Sequence, residues 1–227
     1  MSTLVLTIRP QPGSAATVAA GSEAGLCIEA CPLFEIRPLA WMAPPPDSID
    51  GVLLGSANAL RHGGLGLGNF RGKLAFVVGT ATASAAESAG LQVARCGQGQ
   101  LQPLVDTLDP PLRLLRLTGA DHVPIIPPAG ITIDTRIAYE SVPLPIPAAL
   151  AARLQQGALV LLHSAVAASH FTEQCDAHGV PRAAIRLAAL GPRIASAAGY
   201  GWAEVRSAPE PAEGRLLALA TDMCHET

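Results

Sequence analysis

Three hydroxyl side chains, Ser56, Thr82 and Ser164, each stand just past an apolar run and at the opening of an alanine-rich one. That pattern reads as a strand, a turn and a helix. A helix start of this kind offers unpaired backbone N–H groups and the positive end of the helix dipole to an anion. A hydroxyl placed there helps to hold the anion or serves as an ordinary N-cap, and one residue can do both. Arg9 follows the first strand-like run, where it can give a carboxylate two parallel hydrogen bonds or stay solvated at the surface. Arg193, two residues past the turn glycine Gly191, is a second candidate of the same kind. Tyr139 is the candidate for proton chemistry, because phenols hold their proton at neutral pH and can release it to a reacting group. Its alternative role is packing on a connector.

Other patterns lead nowhere chemical. The run Gly63-Gly64-Leu65-Gly66-Leu67-Gly68 precedes the strand Leu74–Val78 instead of following one. It therefore fails as a dinucleotide fingerprint and is expected to be a flexible loop. His170, Cys175 and His178 fall on different faces of their predicted helix, and Cys27 and Cys31 lack a second pair. No metal site is expected. No nucleophile–base pair or carboxylate pair with a recognisable spacing is present either.

The elements that must position these residues come as a repeat. Gly79-Thr80-Ala81-Thr82-Ala83-Ser84-Ala85-Ala86 returns as Gly191-Pro192-Arg193-Ile194-Ala195-Ser196-Ala197-Ala198, with five of eight positions identical. Upstream, Leu53-Leu54-Gly55-Ser56-Ala57-Asn58-Ala59 pairs with Leu161-Leu162-His163-Ser164-Ala165-Val166-Ala167. Two motifs in the same order point to duplication and to two similar lobes. The copies differ chemically, since Thr82 in one is matched by Ile194 in the other.

Predicted strands are Leu4–Ile8, Leu26–Ala30, Gly51–Leu54, Leu74–Val78, Gln92–Arg95, Leu112–Leu117, Ile131–Tyr139, Ala158–His163, Ile185–Leu190 and Ala203–Arg206. Helices are predicted between most of them. Alternation at this spacing gives an α/β fold: two similar lobes, each a parallel sheet flanked by helices, joined by a two-stranded connector. Proline-rich passages, Pro32–Pro46 and Pro124–Pro147, divide the chain. Counting strands on either side assigns residues 1–31 with 141–227 to one discontinuous lobe and 38–130 to the other. Segments 32–37 and 131–140 are then the connectors.

Composition bounds the partners. Of the 227 residues 49% are apolar and only 15% charged, which suits strands buried on both faces and excludes a disordered chain. A net charge of −3 leaves no electrostatic footprint for nucleic acid or an anionic membrane. No apolar stretch is long enough to span a bilayer, and Met1-Ser2-Thr3-Leu4 does not open a signal peptide. Five scattered cysteines read as reduced thiols, and a cytoplasmic location is expected.

Taken in order, several segments resemble uroporphyrinogen-III synthases. They are Leu6-Thr7-Ile8-Arg9-Pro10, Pro32-Leu33-Phe34-Glu35-Ile36, Asp50–Ala59, Val77–Thr82, Ile137-Ala138-Tyr139 and Ala189-Leu190-Gly191-Pro192. The resemblance implies two α/β lobes with substrate in a cleft, no cofactor and a monomer of the tetrapyrrole pathway. The implied substrate is hydroxymethylbilane, a linear tetrapyrrole with eight carboxylates. It loses water and closes with its last ring inverted. On this reading Tyr139 is the proton donor, and Arg9, Ser56, Thr82, Ser164 and Arg193 meet the carboxylates. The chain departs from the family pattern at Gly55, where threonine is common, at Ile194, where a hydroxyl is expected, and across the proline-rich 119–130 segment. The competing class is a two-lobed cytoplasmic binding protein, or an inactive paralogue, that clamps an anionic metabolite without catalysis.

Overall fold

A computed structural model describes residues 3–226; Met1 and Ser2, part of the segment read for a signal peptide, and Thr227 lie outside it. The strands of the first half are β1 (Val5–Thr7), β2 (Ile28–Ala30), β3 (Phe34–Pro38), β4 (Gly51–Leu54), β5 (Leu74–Val78) and β6 (Gln92–Gly97). They are followed by β7 (Leu112–Gly119), β8 (Ile131–Pro143), β9 (Ala158–Leu162), β10 (Ile185–Ala189) and β11 (Glu204–Ser207). The helices are α1 (Gly13–Glu23), α2 (Ala57–Arg61), α3 (Gly64–Leu67), α4 (Thr80–Ser88) and α5 (Leu101–Val105). The rest are α6 (Ala148–Leu154), α7 (Ala165–Ala177), α8 (Pro192–Ala197) and α9 (Glu213–His225).

The chain divides into two compact units: Met1–Glu35 with Val142–Thr227, and Ile36–Ser141. Unit 1 holds a sheet of order β11-β10-β9-β1-β2 with every pairing parallel. The other sheet runs β6-β5-β4-β7-β8, again parallel, with β3 added beside β8. Leu39 N–H donates to the Ala138 carbonyl and Leu144 N–H to that of Leu33, so partner numbers run in opposite directions along β3 and β8. The segment 131–140, expected as a connector, is paired with β7 from Ile131 to Tyr139 and so belongs to the six-stranded sheet.

Both sheets place strands in one spatial order, but the chain threads them differently. In unit 2 it runs outward through β4, β5 and β6, then returns to the other side of β4 for β7 and β8. In unit 1 the outward strands are β9, β10 and β11, and the pair on the other side is β1 and β2 from the opposite end of the chain. The repeat noticed in sequence is the shared outward half: β4–α2 with β5–α4, and β9–α7 with β10–α8.

Why these segments are strands is plain from their burial. Gly51–Leu54 and Ala158–Leu162 are buried throughout, as central parallel strands covered on both faces require. Each sheet therefore has two cores. In unit 1, Leu6, Val160, Leu187 and Phe171 fill one face, and Leu159, Leu161, Leu216 and Met223 the other. In unit 2, Leu54, Phe70, Val77 and Leu117 lie on one side, and Leu53, Phe76, Leu104 and Leu114 on the other. Among the described residues no helix is long and apolar enough to cross a membrane.

The glycine run differs from its expectation. Gly64–Leu67 forms a short helix that buries Leu67 in the core, and the Gly63 carbonyl accepts from Trp41 Nε1 at 2.8 Å. The run is packed on one side, because Leu67 gains by burial while Leu65 stays exposed.

Candidate active site

In an open parallel sheet, ligands bind beyond the carboxyl ends of strands where the strand order reverses direction. Here those places lie between β4 and β7 in unit 2 and between β9 and β1 in unit 1. Both carry polar groups.

In unit 2 the reversal opens into a crevice of about 230 Å³. Gly55 and Ser56 after β4, Gly119 and His122 after β7, and Tyr139 on β8 line it. Ser56 caps α2: its Oγ accepts from Asn58 N–H at 3.2 Å, as the N-cap reading requires. Tyr139 is set by a slip in register. Thr118 faces Ile137, but the next residue, Gly119, faces Tyr139, so β8 carries one extra residue there. The bulge lays the Tyr139 ring over Gly119, where a Cβ would come within 2.6 Å of Cε2. Ala120 N–H donates to the Tyr139 carbonyl at 2.9 Å and pins the backbone, while the His62 ring stands 6.1 Å from the phenol ring. Burial, with a smaller contribution from the Arg61 charge, lowers the pKa of His62.

Thr82 belongs to the same unit but does not cap its helix. Gly79 does, with φ at +83°, a backbone conformation that glycine adopts without the Cβ penalty. Thr82 is the third helical residue, only 5% exposed, and its N–H donates to the Gly79 carbonyl at 3.1 Å.

In unit 1 the reversal is filled by the protein's own charges. Arg9 Nη1 lies 3.2 Å from Glu213 Oε2 and 3.3 Å from Thr17 Oγ1. Thr17 Oγ1 donates to Glu213 Oε1 at 2.5 Å, and His163 Nε2 lies 3.1 Å from Oε2. Burial pushes the Glu213 carboxyl upward, but hydrogen bonds from His163 and Thr17 and the nearby positive charges outweigh it and hold the pKa at about 2. Three buried polar atoms of this unit, Thr7 Oγ1, Ser14 Oγ and His163 Nδ1, have no hydrogen-bond partner among the described residues. Ser164 caps α7 through Ala167 N–H at 3.1 Å. Arg193 is exposed on α8 and makes no ion pair with a described residue.

The Glu213 cluster has a pH signature. A carboxyl held below its usual 4.5 contributes stability that is whole above that value and lost as pH falls through about 2. The stability gap between wild type and Glu213→Gln is therefore expected to narrow across that window. Urea unfolding at a series of acid pH values reads it, and a gap independent of pH would contradict the assignment.

Ser56 and Tyr139 are thus brought together in one crevice, while Arg9 and Ser164 share the other strand-end rim. Thr82 and Arg193 join neither. Sequence reasoning missed Arg116, Glu213 and His163. Arg116 alone carried a local signal, a charge inside the run Leu112-Arg113-Leu114-Leu115-Arg116-Leu117 that was read as a buried strand.

Two mainly parallel sheets of like order, each with polar groups at its point of reversal, define a two-unit α/β protein. The chain belongs to the uroporphyrinogen-III synthase family, whose model, described as "Uroporphyrinogen-III synthase HemD", matches residues 15–218. The fold is similar to that of the uroporphyrinogen-III synthetase of Helicobacter pylori, with a TM-score of 0.65 at 14% identity, covering 97% of this chain and 99% of that one. A mutant uroporphyrinogen III synthase from Thermus thermophilus matches with a TM-score of 0.52 at 16% identity, covering 99% of each chain. A search of curated proteins finds no significant match.

Proposed function

We propose that this protein closes hydroxymethylbilane to uroporphyrinogen III, inverting the last ring and releasing one water. The observation that carries the reading is a family match across nearly the whole chain, joined to a crevice at the sheet reversal that presents a phenol.

The chemistry asks little of side chains. The C–O bond of the terminal hydroxymethyl group breaks, and the departing oxygen takes a proton and leaves as water. Tyr139 supplies that proton from the crevice wall and recovers one when ring closure releases it. The larger task is geometric, because the activated chain end closes without inversion unless it is held otherwise. Ser56 in the crevice and the unpaired Arg193 on its own rim take carboxylates of the substrate, as does the start of α7 at Ser164. Arg9 joins them by exchanging Glu213 for substrate, and Thr82 adds its hydroxyl from the first turn of α4.

Product analysis tests the function. Supplied with hydroxymethylbilane, the protein is expected to yield isomer III; a product that is mostly isomer I, the spontaneous one, would refute it. Tyr139→Phe is expected to lower kcat by at most about 100-fold while isomer III remains the product, since positioning survives. An unchanged kcat would remove the acid role and leave Tyr139 as packing.

A further inference from the structure

Arg116 sits on β7 beside Leu53 of β4 and shares its sheet face with Leu114, Phe76 and Leu104. It is 5% exposed and lines the unit 2 crevice near Ser56 and Tyr139. One terminal nitrogen donates to the Val123 carbonyl at 2.8 Å, but Nε is buried with no partner among the described residues. Among the described residues no carboxylate pairs with it. Asp121 also lines the crevice, exposed to solvent, and makes no ion pair with Arg116.

Two other arginines face carboxylates instead. On the same strand Arg113 meets Asp50 at 2.6 Å, and in unit 1 Arg9 is neutralised by Glu213. A buried cation without a counter-charge is costly, and an apolar side chain of similar volume would pack against Leu53 and Phe76 without that cost. Burial also lowers the Arg116 pKa, the direction expected of a guanidinium that lacks a partner. Stability alone therefore gives no reason for arginine here, whereas an anion arriving in the crevice would complete it.

The geometry points to Arg116 as the anion receptor of the unit 2 crevice, its guanidinium taking a carboxylate of the ligand. The naming of that carboxylate as an acetate or propionate of hydroxymethylbilane rests on the proposed function; the anion site itself does not. The site is a carboxylate-binding pocket supplied by a strand interior. It is independent of the helix starts, and it supplies binding energy where the phenol works.

Two measurements test it. In wild-type protein labelled with ¹⁵N arginine, the Arg116 Nε–H resonance is expected to shift on titration with tricarballylate, a carboxylate without pyrroles. A resonance that stays in place overturns the site. In Arg116→Met, KM for hydroxymethylbilane is expected to rise roughly 10-fold to 100-fold, the loss of a hydrogen bond to a charged group. The urea midpoint is expected to hold or rise. A KM within twofold of wild type overturns the proposal. So does a fall in the urea midpoint with KM unchanged, which would make Arg116 a clamp for Val123. If the variant does not fold, the wild-type resonance decides alone. Should wild type produce only isomer I while that resonance still shifts, the tetrapyrrole function fails and the anion site stands.

Discussion

Gly119→Val is expected to cost about 1–3 kcal/mol of stability and to lower activity more than about 100-fold. The Gly119 backbone needs no left-handed conformation, so the cause is space alone. A Cβ there would lie 2.6 Å from Tyr139 Cε2 and 2.8 Å from Cζ. The ring cannot retreat with its backbone, because the Tyr139 carbonyl accepts from Ala120 N–H across the bulge. It must instead swing out, vacating the crevice wall while valine fills the floor. Loss of the proton donor and loss of substrate space then combine, which is why this change should exceed Tyr139→Phe. A double-mutant cycle isolates the clash. With Tyr139→Ala in the background, most of the Gly119→Val stability cost should vanish, because no ring remains to meet. Equal costs in both backgrounds would show that Gly119 serves something other than the ring.

The bulge also marks how far the residues could be read in advance. Strands such as Leu74–Val78 and Gly51–Leu54 were legible because burial on both faces demands unbroken aliphatic runs. Ser56 and Ser164 were legible as caps because capping is local, decided within three residues. What was not legible depended on distance. Phe34–Pro38 lies at a sheet edge beside prolines and is a strand through its pairing with β8. Arg9 was read as meeting a carboxylate ligand or staying solvated, and its partner Glu213, 204 positions away, is announced by no local pattern. Thr82 was placed as a possible cap by analogy with the serines, but the positive φ at Gly79 moves the cap three residues earlier.

Arg116 is the instructive omission. An arginine flanked by leucines was absorbed into the strand, since strand prediction counts apolar neighbours and forgives an occasional charge. Had the run been judged by its own rule, buried on both faces, the charge would have stood out as a group needing an explanation. The permuted threading carries a similar lesson. The repeat reveals only the outward half of each sheet, because the two strands that complete unit 1 come from the N-terminal end of the chain. Strand counting led to that assignment because three strands alone cannot match the four of the middle segment.

Phe171→Ala is expected to destabilise unit 1 by about 3–5 kcal/mol, a large share of what holds a domain of this size folded. Phe171 is 1% exposed on α7 and stacks on Trp202 with ring centroids 5.6 Å apart and planes 11° apart. Trp202 is held in turn: its Nε1 donates to the Ala198 carbonyl at 2.9 Å, and the Arg182 guanidinium stands 5.7 Å from its ring. Truncation leaves a ring-sized void against side chains anchored at their far ends, so collapse recovers little. The chain offers its own reporter, since it has two tryptophans, Trp202 in unit 1 and Trp41 in unit 2. In a Trp41→Phe background, urea unfolding followed by fluorescence reads unit 1 alone. At a slope of about 2 kcal/mol per molar, the Phe171→Ala midpoint should fall by roughly 2 M. The matching Trp202→Phe protein then shows whether the loss stays in unit 1. Confinement would mean that each sheet, despite the chain crossing between them twice, keeps its own stability; an equal fall at Trp41 would mean that the units unfold as one.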